Sequence, residues 1–65
     1  MAARSESNHR GTVLVVDDEK SIRDSLRMVL EYENYRVLEA GSGDEALAAV
    51  RRSSPHAVLL DIKMP

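Results

Sequence analysis

The sequence predicts an α/β fold: a small parallel sheet with flanking helices, in the order strand, helix, strand, helix, strand (βαβαβ). Three observations carry this. Val13-Leu14-Val15-Val16 is an unbroken run of aliphatics that stops at Asp17-Asp18-Glu19, as expected of a strand buried on both faces. Ala57-Val58-Leu59-Leu60 repeats the design and stops at Asp61. Between the two runs lie two stretches with apolar residues at helical spacing, separated by a third short strand.

The elements follow in order. Residues 1–11 are polar and aperiodic and read as a flexible tail, with His9 and Arg10 solvated. Residues 12–17 form the first strand. Ser21 is the expected cap of the first helix, with Asp24 three residues on in the manner of a capping box. Ile22, Leu26, Val29 and Leu30 supply its apolar face, while Arg23, Asp24, Arg27 and Glu31 take the wet one. Met28 and Tyr32 are expected to fill gaps at the flank of the core. The helix should end near Glu33-Asn34, where Asn34 tolerates the left-handed conformation. Residues 35–40 form the second strand, carried by Val37 and Leu38; the mixture with Arg36 and Glu39 suits a sheet edge.

Gly41-Ser42-Gly43 could suggest a phosphate loop, but it lacks a GxxxxGK[ST] or GxGxxG frame. Ser42 as a helix cap with Glu45 as its partner is the better reading. The second helix covers residues 44–52, with Ala46, Leu47, Ala49 and Val50 on its apolar face and Arg51-Arg52 complementing its carboxyl end. Ser53-Ser54-Pro55 stops it, and His56 is read as an exposed linker residue. The third strand runs over residues 57–61, and Pro65 forbids continued central pairing.

Composition narrows the function. The chain has 65 residues, 43% of them hydrophobic and 31% charged, with a net charge of −2. Nothing there suggests affinity for nucleic acid or an anionic membrane. Cysteine is absent, which excludes disulfides, thiolate metal sites and a cysteine nucleophile. His9 and His56 stand too far apart in sequence to suggest a histidine metal site. No apolar stretch has the length of a membrane span or signal peptide, so a cytoplasmic location is expected.

The chemistry lies in the acids. In open parallel sheets, ligands bind just past the carboxyl ends of the strands. Asp17, Asp18 and Asp61 all follow such ends and are expected to meet at one sheet edge. Carboxylates about 5 Å apart repel by roughly 3 kcal/mol per pair at an effective dielectric near 20. A cluster of this kind therefore calls for a cation. Hard oxygen donors favour Mg²⁺, beside which one Asp can accept a phosphoryl group. The plainer reading is three separately solvated strand-end acids; two apolar runs ending in three Asp favour the cluster.

Val-Leu-Val-Val-Asp-Asp-Glu, Ser-Ile-Arg-Asp-Ser-Leu, Gly-Asp-Glu-Ala-Leu and Val-Leu-Leu-Asp-Ile-Lys-Met-Pro together resemble the receiver domain of bacterial two-component response regulators, over residues 12–65. The wording near the first helix is most similar to receivers of NtrC-type transcriptional activators. The resemblance implies a flavodoxin-like (CheY-like) fold with strand order 2-1-3-4-5. It implies that Asp61 is the phosphoacceptor for a sensor histidine kinase. Asp18 would ligate Mg²⁺ directly, Asp17 would help through a metal-bound water, and the backbone carbonyl of Lys63 would complete the protein ligands. A C-terminal output domain would follow in a longer parent protein.

A complete receiver has five strands and five helices, whereas the elements here stop after the third strand. The family's switch Ser/Thr and its fifth-strand Lys have no counterpart in these 65 residues. The chain is therefore expected to be part of a receiver, with Val13 to Val16 poorly shielded. Val58-Leu59-Leu60 would line an exposed strand edge that invites self-association. Two other functions compete. A partner-binding fragment without phosphorylation would use the exposed strand or a helix face. A haloacid dehalogenase-type phosphohydrolase should carry a second Asp two residues after the first and a Thr two beyond; Asp17 is followed by Asp18, Glu19, Lys20 and Ser21, so that spacing fails.

Overall fold

The computed structural model describes residues 9–60. Five elements follow one another: β1 (Thr12–Val16), α1 (Lys20–Tyr32), β2 (Arg36–Ala40), α2 (Gly43–Ser53) and β3 (Ala57–Leu60). The strands form one parallel sheet in the order β2-β1-β3, as the alternation of elements requires. Thr12 lies beside Arg36, and Val16 lies beside both Ala40 and Leu60, so all three carboxyl ends come level at one edge. Pairing continues past the strand ends. Arg36 N–H donates to the Gly11 carbonyl at 2.8 Å, and Asp17 N–H to the Ala40 carbonyl at 3.1 Å.

β1 is the core. Val13, Leu14, Val15 and Val16 are buried, Leu14 and Val15 completely. The expectation that these residues are poorly shielded is corrected: strands on both sides and one helix over each face suffice. Leu14 and Val16 pack with Ala40 of β2 and Ala49 of α2, with Leu38 and Ala46 at the margin. The small side chains of Ala46 and Ala49 let α2 approach the sheet closely. Alternation sends Val13 and Val15 to the other face. Leu59, the register partner of Val15, lies on that face beside Ile22 and Leu26 of α1.

Both helices bury less than their sequences suggest. Val29, Met28 and Tyr32 of α1 are exposed, Tyr32 at 87%. Ile22, Leu26 and Leu30, spaced by four, hold α1 against the sheet, and that narrow stripe leaves the other three outside it. In α2, Ala49 is buried while Leu47 and Val50 are exposed.

The helix ends also differ from expectation in part. Glu19, not Ser21, occupies the N-cap of α1, and the Glu19 side chain makes no cap hydrogen bond. Ser21 lies inside the first turn, where its carbonyl accepts from the Ser25 hydroxyl, and Asp24 pairs with Lys20 at 3.1 Å instead of closing a box. At the other end the sequence reading holds: the chain turns at Asn34 with φ 72°. Ser42 caps α2 as expected, accepting from Glu45 N–H at 3.2 Å, while the Glu45 carboxylate accepts from Gly41 N–H at 2.8 Å. Ser54 closes α2 at φ 47°.

At the amino-terminal side, Arg10 N–H donates to the Asn34 carbonyl at 2.9 Å, and its guanidinium lies 5.3 Å from the centre of the Tyr35 ring. His56 is more than a linker. Its N–H donates to the Thr12 carbonyl at 2.8 Å, and its Nδ1 accepts from Thr12 N–H at 3.0 Å, extending the β1–β3 seam by a residue.

Candidate functional site

The site is the loop that carries β1 into α1. β1 ends in the middle of the sheet, so the residues after it emerge between the ends of β2 and β3. Asp17 is still held by the ladder and is 3% exposed, whereas Asp18 and Glu19 are exposed. One carboxylate oxygen from each of the three lies within 4.8 Å of the others. Asp17 also shapes the loop: its Oδ1 accepts from Glu19 N–H at 2.8 Å, a turn that an Asp side chain makes with the backbone two residues on. Asp17 thus ends the strand, folds the turn and contributes to the acidic group.

Arg23 braces this loop from the first turns of α1. Its Nη1 donates to the Asp17 main-chain carbonyl, and its Nε donates to Glu39 Oε1 of β2 at 3.1 Å. The other Glu39 oxygen accepts from Arg27 at 2.7 Å. The Arg23 and Glu39 side chains are about four-fifths buried. The hydrogen bond from Arg27, followed by that from Arg23, holds the Glu39 carboxyl below its ordinary range, against the opposing effect of burial. Gly41 matters here for space: a methyl group at its Cα would stand 3.2 Å from Arg23 Nη1, inside ordinary contact distance.

Of the residues expected to form the site, Asp17 and Asp18 come together at the carboxyl end of the central strand. Asp61 and Lys63 lie outside the described residues. Glu19 joins the group although no role was expected of it; its place directly after the acid pair was the available signal. Arg23 and Arg27 were expected on the wet face. Their links to Glu39 span 16 and 12 residues and exist only once α1 folds back along β2.

The donor set suits a hard divalent cation. Oxygens sharing one Mg²⁺ stand at most about 4.2 Å apart, since each bond is about 2.1 Å. The three carboxylate oxygens lie within 4.8 Å of one another, so a cation among them would have each within reach of a direct bond or a bound water. Among the described residues, no helix is long and apolar enough to cross a membrane.

A level parallel edge of order 2-1-3, with an acidic loop leaving its middle strand, defines the class: the chain belongs to the response regulator receiver domain family, whose model matches residues 13–65. Among its relatives, the transcriptional regulatory protein ResD of Bacillus subtilis is 53% identical over 53 residues, covering 82% of this chain and 22% of ResD. The probable transcriptional regulatory protein TcrX of Mycobacterium tuberculosis is 46% identical over 54 residues, covering 83% of this chain and 23% of TcrX. A crystal structure of the N-terminal domain of a response regulator receiver protein from Methanoculleus marisnigri superposes with a TM-score of 0.81 at 45% identity, covering 85% of this chain and 45% of that one. The chain therefore spans about a quarter of the length of these curated relatives.

Proposed function

We propose that the chain is the phosphoacceptor portion of a two-component response regulator, taking a phosphoryl group on Asp61 with Mg²⁺ held beside it by Asp17 and Asp18. The supporting observation is the acidic group at the carboxyl end of the central strand. Leu60 is the register partner of Val16, and Asp61 follows Leu60 in the chain as Asp17 follows Val16. Asp18 is assigned as the direct metal ligand, Asp17 as a ligand through a metal-bound water, and the Lys63 carbonyl as a further ligand. When bound, the cation neutralises charge on the phosphoryl oxygens. The chain's own contribution is positional. Asp17, fixed by the sheet and the Glu19 amide, sets where the metal sits, and a carboxylate oxygen of Asp61 bonds to phosphorus as the donor's leaving group departs.

The phosphoryl donor is assigned as a sensor histidine kinase, and a transcriptional output domain as the remainder of a longer protein. That assignment rests on the relatives, two of which are named as transcriptional regulatory proteins. Membership of the NtrC-type branch is likewise a proposal. Incubation with acetyl phosphate and Mg²⁺, borohydride reduction of the acyl phosphate and peptide mapping test the assignment. Label is expected on Asp61. Label on Asp17 or Asp18 with Asp61 untouched, or no label in a chain shown to be folded, overturns it.

A further inference from the structure

We infer that Arg23 is a positioning residue for the proposed metal site, acting through the main chain of Asp17; the metal arm of this inference rests on the function proposed above. Three observations carry it. The Asp17 N–H is held by the Ala40 carbonyl of β2, so the sheet fixes the residue on its amino side. On its carboxyl side the ladder has ended, and the Asp17 carbonyl accepts from Arg23 Nη1. That peptide unit joins Asp17 to Asp18, so its orientation determines how the two carboxylates diverge. Arg23 is anchored in turn: its Nε is bound at 3.1 Å to Glu39, whose second oxygen is bound at 2.7 Å to Arg27.

The choice of side chain follows from this geometry. A guanidinium is a planar fork that reaches a carbonyl and a carboxylate at once, and it stays charged at all working pH values. Arg23 bonds to the Asp17 main chain and to Glu39. It can therefore place a positive charge near three acids while orienting them through the backbone. A lysine ammonium keeps the charge without the two-point reach. Gly41 completes the fit, because a side chain there would press on Nη1 at 3.2 Å. β2 thus supplies both the anchor for the guanidinium, Glu39, and the space for it, Gly41.

The test uses the whole 65-residue chain and two readouts in Arg23→Ala, Arg23→Lys and Gly41→Ala. The first is metal-free: amide hydrogen exchange at Glu19, whose N–H is bonded to Asp17 Oδ1, measured against Val15 in the core. Arg23→Ala is expected to speed exchange at Glu19 about tenfold relative to Val15, with Arg23→Lys and Gly41→Ala between it and the parent. The second is a Mg²⁺ titration followed by NMR. Arg23→Ala is expected to weaken binding about tenfold, the loss typical of residues that orient metal ligands. A merely structural role would speed Glu19 and Val15 together and leave affinity per folded molecule unchanged, and that result overturns the inference. Should Arg23→Ala not fold, Gly41→Ala decides by the same two readouts. A parent chain that binds no Mg²⁺ overturns the proposed metal site, and the exchange arm still decides whether Arg23 holds the loop.

Discussion

Glu39 shows how much one side chain can depend on a crossover. It receives one guanidinium from each of two turns of α1, and these hold its carboxyl below the ordinary value of 4.5, Arg27 acting most strongly. A carboxyl depressed on folding contributes stability above its unfolded value and loses that contribution as pH falls through the folded one. Arg27 is half exposed, so solvent screens its share and the effect is modest. The melting temperature is expected to fall more steeply in the parent chain than in Glu39→Gln as pH drops below about 4.5. Parallel acid limbs in thermal melts would refute this. Leu14 sits at the other extreme, fully buried with neutral surroundings. Leu14→Ala removes packing worth about 2–5 kcal/mol. In so small a fold, that loss should abolish the cooperative transition seen by circular dichroism.

The helices separate what is legible in the sequence from what is not. β1 could be read directly, because four consecutive aliphatics admit few other placements. Asn34 and Ser42 could also be read, since each acts on backbone within a few residues of itself. Ser21 misled because a Ser followed three residues later by an acid fits a capping box, yet the helix begins one residue before it. Asp17 Oδ1 already turns the chain at Glu19, which starts the helix earlier than its side-chain pattern implies. The Arg23–Glu39–Arg27 tie was not legible, because its members meet only through tertiary geometry. Val29, Leu47 and Val50 were misplaced because periodicity gives a direction on the helix and not the width of the surface it meets. A direct comparison follows. Ser42→Ala should cost about 1 kcal/mol in urea denaturation, the usual worth of an N-cap. Ser21→Ala should be close to neutral. Equal losses would contradict the assignment of the two helix starts.

At the scale of the molecule, the sheet is asymmetric in its protection. β2 carries two charged residues, Arg36 and Glu39, whereas β3 is Ala57-Val58-Leu59-Leu60, exposed throughout and without a charge. Leu59 and Leu60 line a shallow apolar groove with Ile22 and Leu26. Among the described residues nothing pairs with the outer side of β3. The unpaired donors and acceptors of such an edge are a template for another strand. The 65-residue chain is expected to self-associate at micromolar concentration, and Leu59→Lys to reduce this, since a charge there opposes edge pairing. Sedimentation velocity over a concentration series checks both. A monomer at every concentration, or association unchanged by Leu59→Lys, would contradict the prediction.

The central position of β1 has a consequence for how the protein is made. Both of its partners lie downstream, and the seam with β3 joins residues 44 apart, Thr12 and His56. On the ribosome the most apolar of the three strands therefore emerges before either of its neighbours, and the second neighbour follows 44 residues later. At about 5–20 residues per second, Val13 to Val16 wait a few seconds for the second partner. During that interval the run is an uncharged, β-prone window of the kind that nucleates aggregation. The polar stretch before it and the Asp17-Asp18-Glu19 triplet after it bracket the window with water-loving groups. In the nascent chain those acids act as gatekeepers, and replacing them with neutral residues should lower soluble yield during synthesis.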